Sequence, residues 1–225
     1  MKKSTPKKSA RKNIVGLPAA FDESSITAEQ FREIRTNIQF SSEKAVSTLM
    51  VTSAEQSEGT SSVASNLAVS WAKLGKKTIF IDANLRNPSV HDTFCVSNQL
   101  GLASMLDDSD VSLKKTIKKT QIKKLSIMTS GFSSENPADL LNSNHMTHLI
   151  KELKKDFDMV IFDTPAILPV ADGRILATKV DGVILVTPQG IARKHSVIKA
   201  AKFLRSVHAN LLGAVFNKVV TKNKY

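Results

Sequence analysis

Three stretches of the chain carry residue types suited to handling a phosphate and a divalent cation. The first, Ala54-Glu55-Gln56-Ser57-Glu58-Gly59-Thr60-Ser61, has the spacing of the loop G-x-x-x-x-G-K-S/T. In that loop backbone N–H groups cradle phosphate oxygens, a lysine adds charge and a hydroxyl meets the cation. Gly59 and Ser61 keep their places, Ala54 stands for the first glycine and Thr60 for the lysine. The second stretch, Ile79-Phe80-Ile81-Asp82, is an apolar run ending in a carboxylate, followed by Asn84, Arg86 and Pro88. The third, Val160-Ile161-Phe162-Asp163-Thr164-Pro165, repeats that design. Two carboxylates beside a phosphate loop are a means of holding a hydrated Mg²⁺ and orienting a nucleophile. Each stretch alone has a plainer account, as a βα turn with a serine cap or as an aspartate capping a helix or turn. All three in this order favour a phosphate site.

Such residues need elements that bring them together. Thr27, with Gln30 three residues later, reads as the cap of a helix running to about Phe40. Residues 47–53 read as a buried strand, followed by the loop and a helix from Ser61 to about Leu74, stopped by Gly75. Further strands are expected at Thr78–Asp82, Leu125–Thr129, Met159–Asp163, Val183–Thr187 and Leu212–Asn217, with helical patterns between most of them. Apolar strands alternating with helices argue an α/β fold, a mainly parallel sheet with helices on both faces. Ligands in such sheets bind at the carboxyl ends of the strands, where all three stretches fall. Residues 1–25, rich in Lys, Ser and Pro, read as a basic, disordered arm. Residues 26–220 read as one domain, and 221–225 as a short tail.

The chain has 225 residues, 41% of them hydrophobic, which suits one sizeable domain with a real core. It has one cysteine, Cys95, so no intrachain disulfide forms, and a reducing, cytoplasmic setting is expected. No apolar run approaches the roughly 20 residues that cross a bilayer, and the N-terminus lacks the apolar stretch of a signal peptide. The net charge of +12 suits a polyanion, anionic lipid or an acidic partner. Lys2, Lys3, Lys7, Lys8, Arg11 and Lys12 concentrate it in the arm, and pairs such as Lys114-Lys115 read as solvated helix faces. Aromatics are only 5% and do not interleave with the basic pairs, so no nucleic-acid partner is expected.

From about Thr27 to Val219 the chain resembles the cytoplasmic kinase domain of bacterial tyrosine kinases that regulate capsular and exopolysaccharide synthesis. These are relatives of the septum-site and partition ATPases, with a P-loop NTPase-like fold. Thr52–Ser62 is similar to the family's phosphate loop, Thr-Ser-x-x-Pro-Gly-Glu-Gly-Lys-Ser-Thr. Ile81–Pro88 is similar to its second Walker-type motif, Ile-Asp-x-Asp-x-Arg-x-Pro, and Asp163–Asp172 to its Walker B segment. Glu29, Arg32 and Arg35 match the E-x-x-R-x-x-R helix through which the family's subunits assemble; i, i+3 and i+6 share one helix face. Gly101–Leu106 and Ser130–Leu141 match two further family segments.

The resemblance implies ATP and Mg²⁺ as cofactors, with Ser57, Glu58, Gly59, Thr60, Ser61, Ser62 and Asn217 binding the nucleotide and Ser61, Asp82 and Asp163 holding the metal. Asp82, Asn84 and Asp163 would be catalytic, with Asp82 the candidate base. Tyr225, the only tyrosine, would be phosphorylated between subunits. Expected partners are a transmembrane activator or chain-length regulator and further copies, its own or an intact kinase, at the inner face of the cell membrane.

Four departures weaken one activity: Thr60 for lysine, Ser57 for glycine, Asn84 for aspartate, and a tail of one tyrosine. No lysine lies between Val46 and Ser62 to compensate, although Arg86 or the Lys76-Lys77 pair could in principle reach the site. Three functions stay open: a tyrosine kinase that phosphorylates itself, a weak or inactive regulator in the same pathway, and a partition-type ATPase. The assembly helix and the Pro137 segment argue against the last.

Overall fold

The computed structural model describes residues 17, 24–108, 110–132, 135–190 and 193–219. The basic cluster Lys2–Lys12 and Tyr225 lie outside the described residues. In chain order the elements are α1 (Ile26–Phe40), β1 (Thr48–Ser53), α2 (Thr60–Lys73), β2 (Thr78–Asp82), α3 (Val90–Phe94), α4 (Leu102–Asp107) and α5 (Leu113–Thr116). Then follow β3 (Ile117–Lys119), β4 (Leu125–Met128), α6 (Pro137–Asn142), α7 (Asn144–Asp156), β5 (Met159–Asp163), α8 (Asp172–Ala177), β6 (Gly182–Pro188), α9 (Lys194–Ser206) and β7 (Leu211–Asn217). The sheet runs β3-β4-β2-β5-β1-β6-β7. All neighbours are parallel except β3, which is antiparallel to β4.

Side chains alternate between two cores, as strand geometry requires. On one face Met50, Ile81, Phe162 and Leu185 pack with Leu102, Leu149 and Leu204. On the other Leu49, Phe80, Ile161 and Ile184 pack with Ile38, Leu67 and Trp71. Burial on both faces explains why β1, β2, β5 and β6 read as unbroken apolar runs. α2 lies between this sheet and α1, so it is buried from Val63 through Ala72. Gly75, at φ 88, ends it: its N–H donates to Ala72 O and that of Lys76 to Trp71 O, the paired bonds of a Schellman cap.

The structure corrects the sequence reading in three places. Ser25, not Thr27, caps α1, with its hydroxyl accepting from Ala28 N at 3.1 Å. Leu17, assigned to the arm, is buried in the second core. The short strand β3 was missed, because Ile117-Lys118-Lys119 has too few apolar residues to stand out.

Two segments noted in the sequence meet at the end of β4. Leu102 N and Ala103 N donate to Thr129 O (2.8 Å) and Ser130 O (2.7 Å). Asn98 Oδ1 accepts from Gly131 N, and its Nδ2 donates to Gly131 O, both at 3.0 Å. A Cβ on Gly101 would stand 2.0 Å from Thr129 O and 2.3 Å from Gly131 N, and neither backbone group can yield. Gly101→Ala is therefore expected to cost about 3 kcal/mol in denaturant unfolding. Gly213→Ala, where the added carbon meets nothing within 4 Å, should stay within about 0.5 kcal/mol.

Candidate functional site

β1 delivers the chain into the phosphate loop and α2 carries it away. Between them Ser57 (φ 63) and Gly59 (φ 92) take the left-handed conformation, which turns successive N–H groups toward a common point. Glu58 is folded back and buried, with Oε2 accepting from Ala54 N (2.9 Å) and Glu55 N (3.1 Å). Its carboxylate thus fastens the start of the loop, which leaves its backbone N–H as the group available to a ligand. Glu55 Oε1 accepts from the Ser196 hydroxyl of α9 at 2.5 Å. Asn217, at the end of β7, donates from Nδ2 to Glu58 O at 3.0 Å. A Cβ on Gly59 would lie 2.1 Å from that same nitrogen and push the Asn217 side chain aside, and its φ of 92 is one that favours glycine whatever the space. The loop rims a cavity of about 540 Å³ lined by Gln56, Ser57, Thr60, Ser61, Asn84 and Thr164, among others.

β2 and β5 are neighbours, and their register sets Asp82 opposite Asp163. Both are fully buried. Asp82 is well held: Oδ1 accepts from Asn84 N (3.2 Å) and Oδ2 from Ser89 N and Val90 N (both 3.0 Å). Both carboxylate oxygens of Asp163 are buried, and neither makes a well-formed hydrogen bond, although the Ser61 hydroxyl stands beside them. Burial pushes the Asp82 carboxyl up to about 6, against the pull of those three N–H groups and of His91. Burial, and then the charge of Asp82, raise Asp163 well above the ordinary carboxylate range; the Ser61 hydroxyl opposes them. Two carboxylates and a hydroxyl, one carboxylate without a well-formed hydrogen bond, form the hard oxygen donor set that suits Mg²⁺. Five bonds strap the segment after Asp163 to β1 and the loop: Thr164 N and Oγ1 both to Val51 O (3.2 and 3.0 Å), Thr52 Oγ1 to Pro165 O (2.9 Å), Ile167 N to Ser53 O (2.9 Å) and Leu168 N to Ala54 O (3.3 Å).

The structure thus brings together the loop, Asp82, Asn84, Asp163 and Asn217. Asn84 lines the cavity, but its Oδ1 accepts from Asn87 N at 3.2 Å within its own turn. Of the three cations that could compensate, only Arg86 lines the cavity. Arg86 is committed to the buried Asp172 through two bonds, at 2.8 and 3.0 Å. Lys76 and Lys77 precede β2 at the opposite end of the sheet, where Lys77 N donates to Asp158 Oδ2 at 2.7 Å. The sequence reading missed Lys218, whose Nζ donates to Ser57 O at 3.1 Å. Its place just after a strand's carboxyl end, beside Asn217, was the available signal. Glu29, Arg32 and Arg35 lie apart on α1. Glu29 pairs with Arg32, while Arg35 turns inward to Ser70 O (2.7 Å) and Ser70 Oγ (3.1 Å) on α2.

A family model described as NUBPL iron-transfer P-loop NTPase, of the ParA group, matches residues 44–224. The tyrosine-protein kinase YwqD of Bacillus subtilis (strain 168) is 41% identical over 208 residues, 92% of this chain and 86% of its own. The chain belongs to the bacterial tyrosine-protein kinase family. The kinase domain of the Escherichia coli tyrosine kinase ETK superposes with a TM-score of 0.87 at 30% identity, over 92% of this chain and 81% of that one. The chimerical protein CapA2B2 gives 0.87 at 32%, over 91% and 90%. Set in this kinase family, Thr60 is the first residue of the helix that opens on the phosphate loop. No described helix is long and apolar enough to cross a membrane.

Proposed function

We propose that the chain binds ATP with Mg²⁺ in the cavity between the phosphate loop and the ends of β2 and β5. It transfers a phosphoryl group to tyrosine at a rate held down by the missing loop lysine. The observation that carries this reading is the Asp163 carboxylate, wholly buried with neither oxygen in a well-formed hydrogen bond. A group so costly to bury calls for a cation. Asp163 and Ser61 would hold the Mg²⁺, with Asp82 beside them; bound there, the metal would neutralise phosphate charge. Backbone N–H groups of Ser57 through Ser62, at the N-terminus of α2, would cradle the phosphates. Asn217 would stand toward the adenine. Asp82, its carboxyl at about 6, is poised to take the tyrosyl proton near neutral pH.

Tyr225 would receive the phosphate in a neighbouring subunit, its own copy or an intact kinase, assembled through the α1 helix that carries Glu29, Arg32 and Arg35. Family membership supports a role in capsular or exopolysaccharide synthesis beside a transmembrane activator or chain-length regulator. The basic arm would then lie against the anionic inner leaflet.

Two measurements test the reading. ATP binding to the full chain should be saturable and tighten with Mg²⁺; no binding at millimolar ATP would sink the proposal. Incubation with ATP and an activator fragment should yield slow phosphotyrosine formation that Tyr225→Phe abolishes. A signal that survives Tyr225→Phe would mean that the phosphate goes elsewhere, since the chain has no other tyrosine.

A further inference from the structure

Among the described residues that line the cavity beside the phosphate loop, Arg86 alone carries a charge. Its guanidinium is tied at one edge, where Nε and Nη2 donate to the two oxygens of Asp172 at 2.8 and 3.0 Å. Asp172 is wholly buried, whereas the Arg86 side chain stays 41% exposed. The pair thus turns one edge of the guanidinium inward and leaves the other at the cavity, where Nη1 has no hydrogen-bond partner among the described residues. The main chain is fixed as well. The turn that carries Arg86 closes around Asp82, whose carboxylate accepts from Asn84 N, Ser89 N and Val90 N. A planar fork held in this way has given up its rotamer freedom before any ligand arrives.

Sheet order decides which end of a nucleotide would meet that fork. With the base toward Asn217 on β7 and the cation at Asp163 on β5, the phosphates run over the loop after β1. Their free end then points toward β5 and β2. Arg86 follows β2 on that side, beyond the candidate base Asp82. We propose that Arg86, pinned by Asp172, binds the terminal phosphoryl group of the nucleotide through the guanidinium edge that Asp172 leaves free; this rests on the nucleotide site proposed above. The Arg86–Asp172 pair is neutral as a whole, so it acts through short, directed N–H bonds to phosphate oxygens and adds no net charge. A diphosphate has no group at that position. Arg86 would therefore make the site tell a triphosphate from a diphosphate.

The test is a titration of the full chain with MgADP and with the Mg²⁺ complex of an ATP analogue whose terminal phosphoryl group cannot be transferred. Arg86→Met alone would strand the buried Asp172 charge, so it is paired with Asp172→Leu, which removes both charges together. The double variant is expected to bind MgADP within about threefold of wild type and the analogue at least about tenfold more weakly. Retained MgADP binding also reports that the variant has folded. Equal losses for the two nucleotides would make Arg86 a brace between the turn after β2 and α8, and would overturn the inference. Unchanged affinity for both would overturn it too, and would leave the nucleotide site standing. Failure of the wild-type chain to bind MgADP at millimolar concentration overturns the site and the inference together.

Discussion

Phosphotyrosine formation on Tyr225 is expected to rise about 10²–10³-fold when Thr60 is replaced by lysine. The rest of the cradle is in place to receive it. Gly59 gives the left-handed turn, Glu58 fastens the loop's start, and Thr60 opens α2 on the cavity rim. A unit charge about 4 Å from a phosphate oxygen is worth roughly 4 kcal/mol at an effective dielectric near 20. Threonine offers one hydroxyl and no charge. The measurement is a single-turnover phosphotyrosine assay with the activator fragment, kcat resolved from KM. An increase confined to KM would assign the new lysine to ground-state binding alone. No increase at all would put the limiting defect at Asn84 or Ser57.

Asp163→Asn should make the ligand-free chain more stable at pH 7.5 and cost it Mg²⁺-dependent nucleotide binding. The folded state raises the pKa of both buried carboxyls, Asp82 to about 6 from 3.8. A raised folded-state pKa means that the native state binds the proton more tightly than the unfolded chain. The resulting stability is fully present below about 3.8 and declines as pH rises through about 6. Above about 6 the native state must therefore carry charge within a buried pair of facing carboxyls. Removing one relieves that strain, and a gain of about 2 kcal/mol corresponds to a Tm rise of about 4–8 °C at this chain length. The wild-type Tm should fall between pH 5 and 7.5, and the variant's should fall less. Asp181 acts in a separate window. Burial opposes its ionisation, but the Ser47 hydroxyl and Lys154 hold it at about 2. Its contribution is present above about 3.8 and is lost as pH falls toward 2. A variant less stable than wild type at pH 7.5 would refute this account, and unchanged Mg²⁺-dependent ATP binding would take Asp163 out of the metal site.

The sheet was legible because its central strands are buried on both faces, which leaves runs such as Ile79-Phe80-Ile81 with no polar interruption. The three chemical stretches could be placed because parallel strands point their carboxyl ends the same way. What stayed hidden depended on contacts distant in sequence. Nothing local shows that the Glu58 carboxylate accepts from Ala54 N and Glu55 N and so fastens the loop. Arg86 reads as a spare cation until Asp172 is found beneath it. The spacing of Arg35 on its helix gives no sign of the bonds its guanidinium makes to Ser70 of α2. Lys218 has no local signal apart from its place after a strand, because what gives it meaning is a carbonyl 161 positions earlier. The tyrosine tail and the basic arm keep their sequence-level meaning only.

The contact between Asn217 and the Glu58 carbonyl spans 159 positions, and it bears on the order in which the protein comes into being. A ribosome releases the phosphate loop well before β7. Between the two the nascent chain therefore holds every loop residue without the strand that shapes the loop. Cellular ATP, abundant throughout, meets no finished site until β7 has docked. A chain interrupted before Asn217 would carry the full loop sequence and still present no ordered cradle.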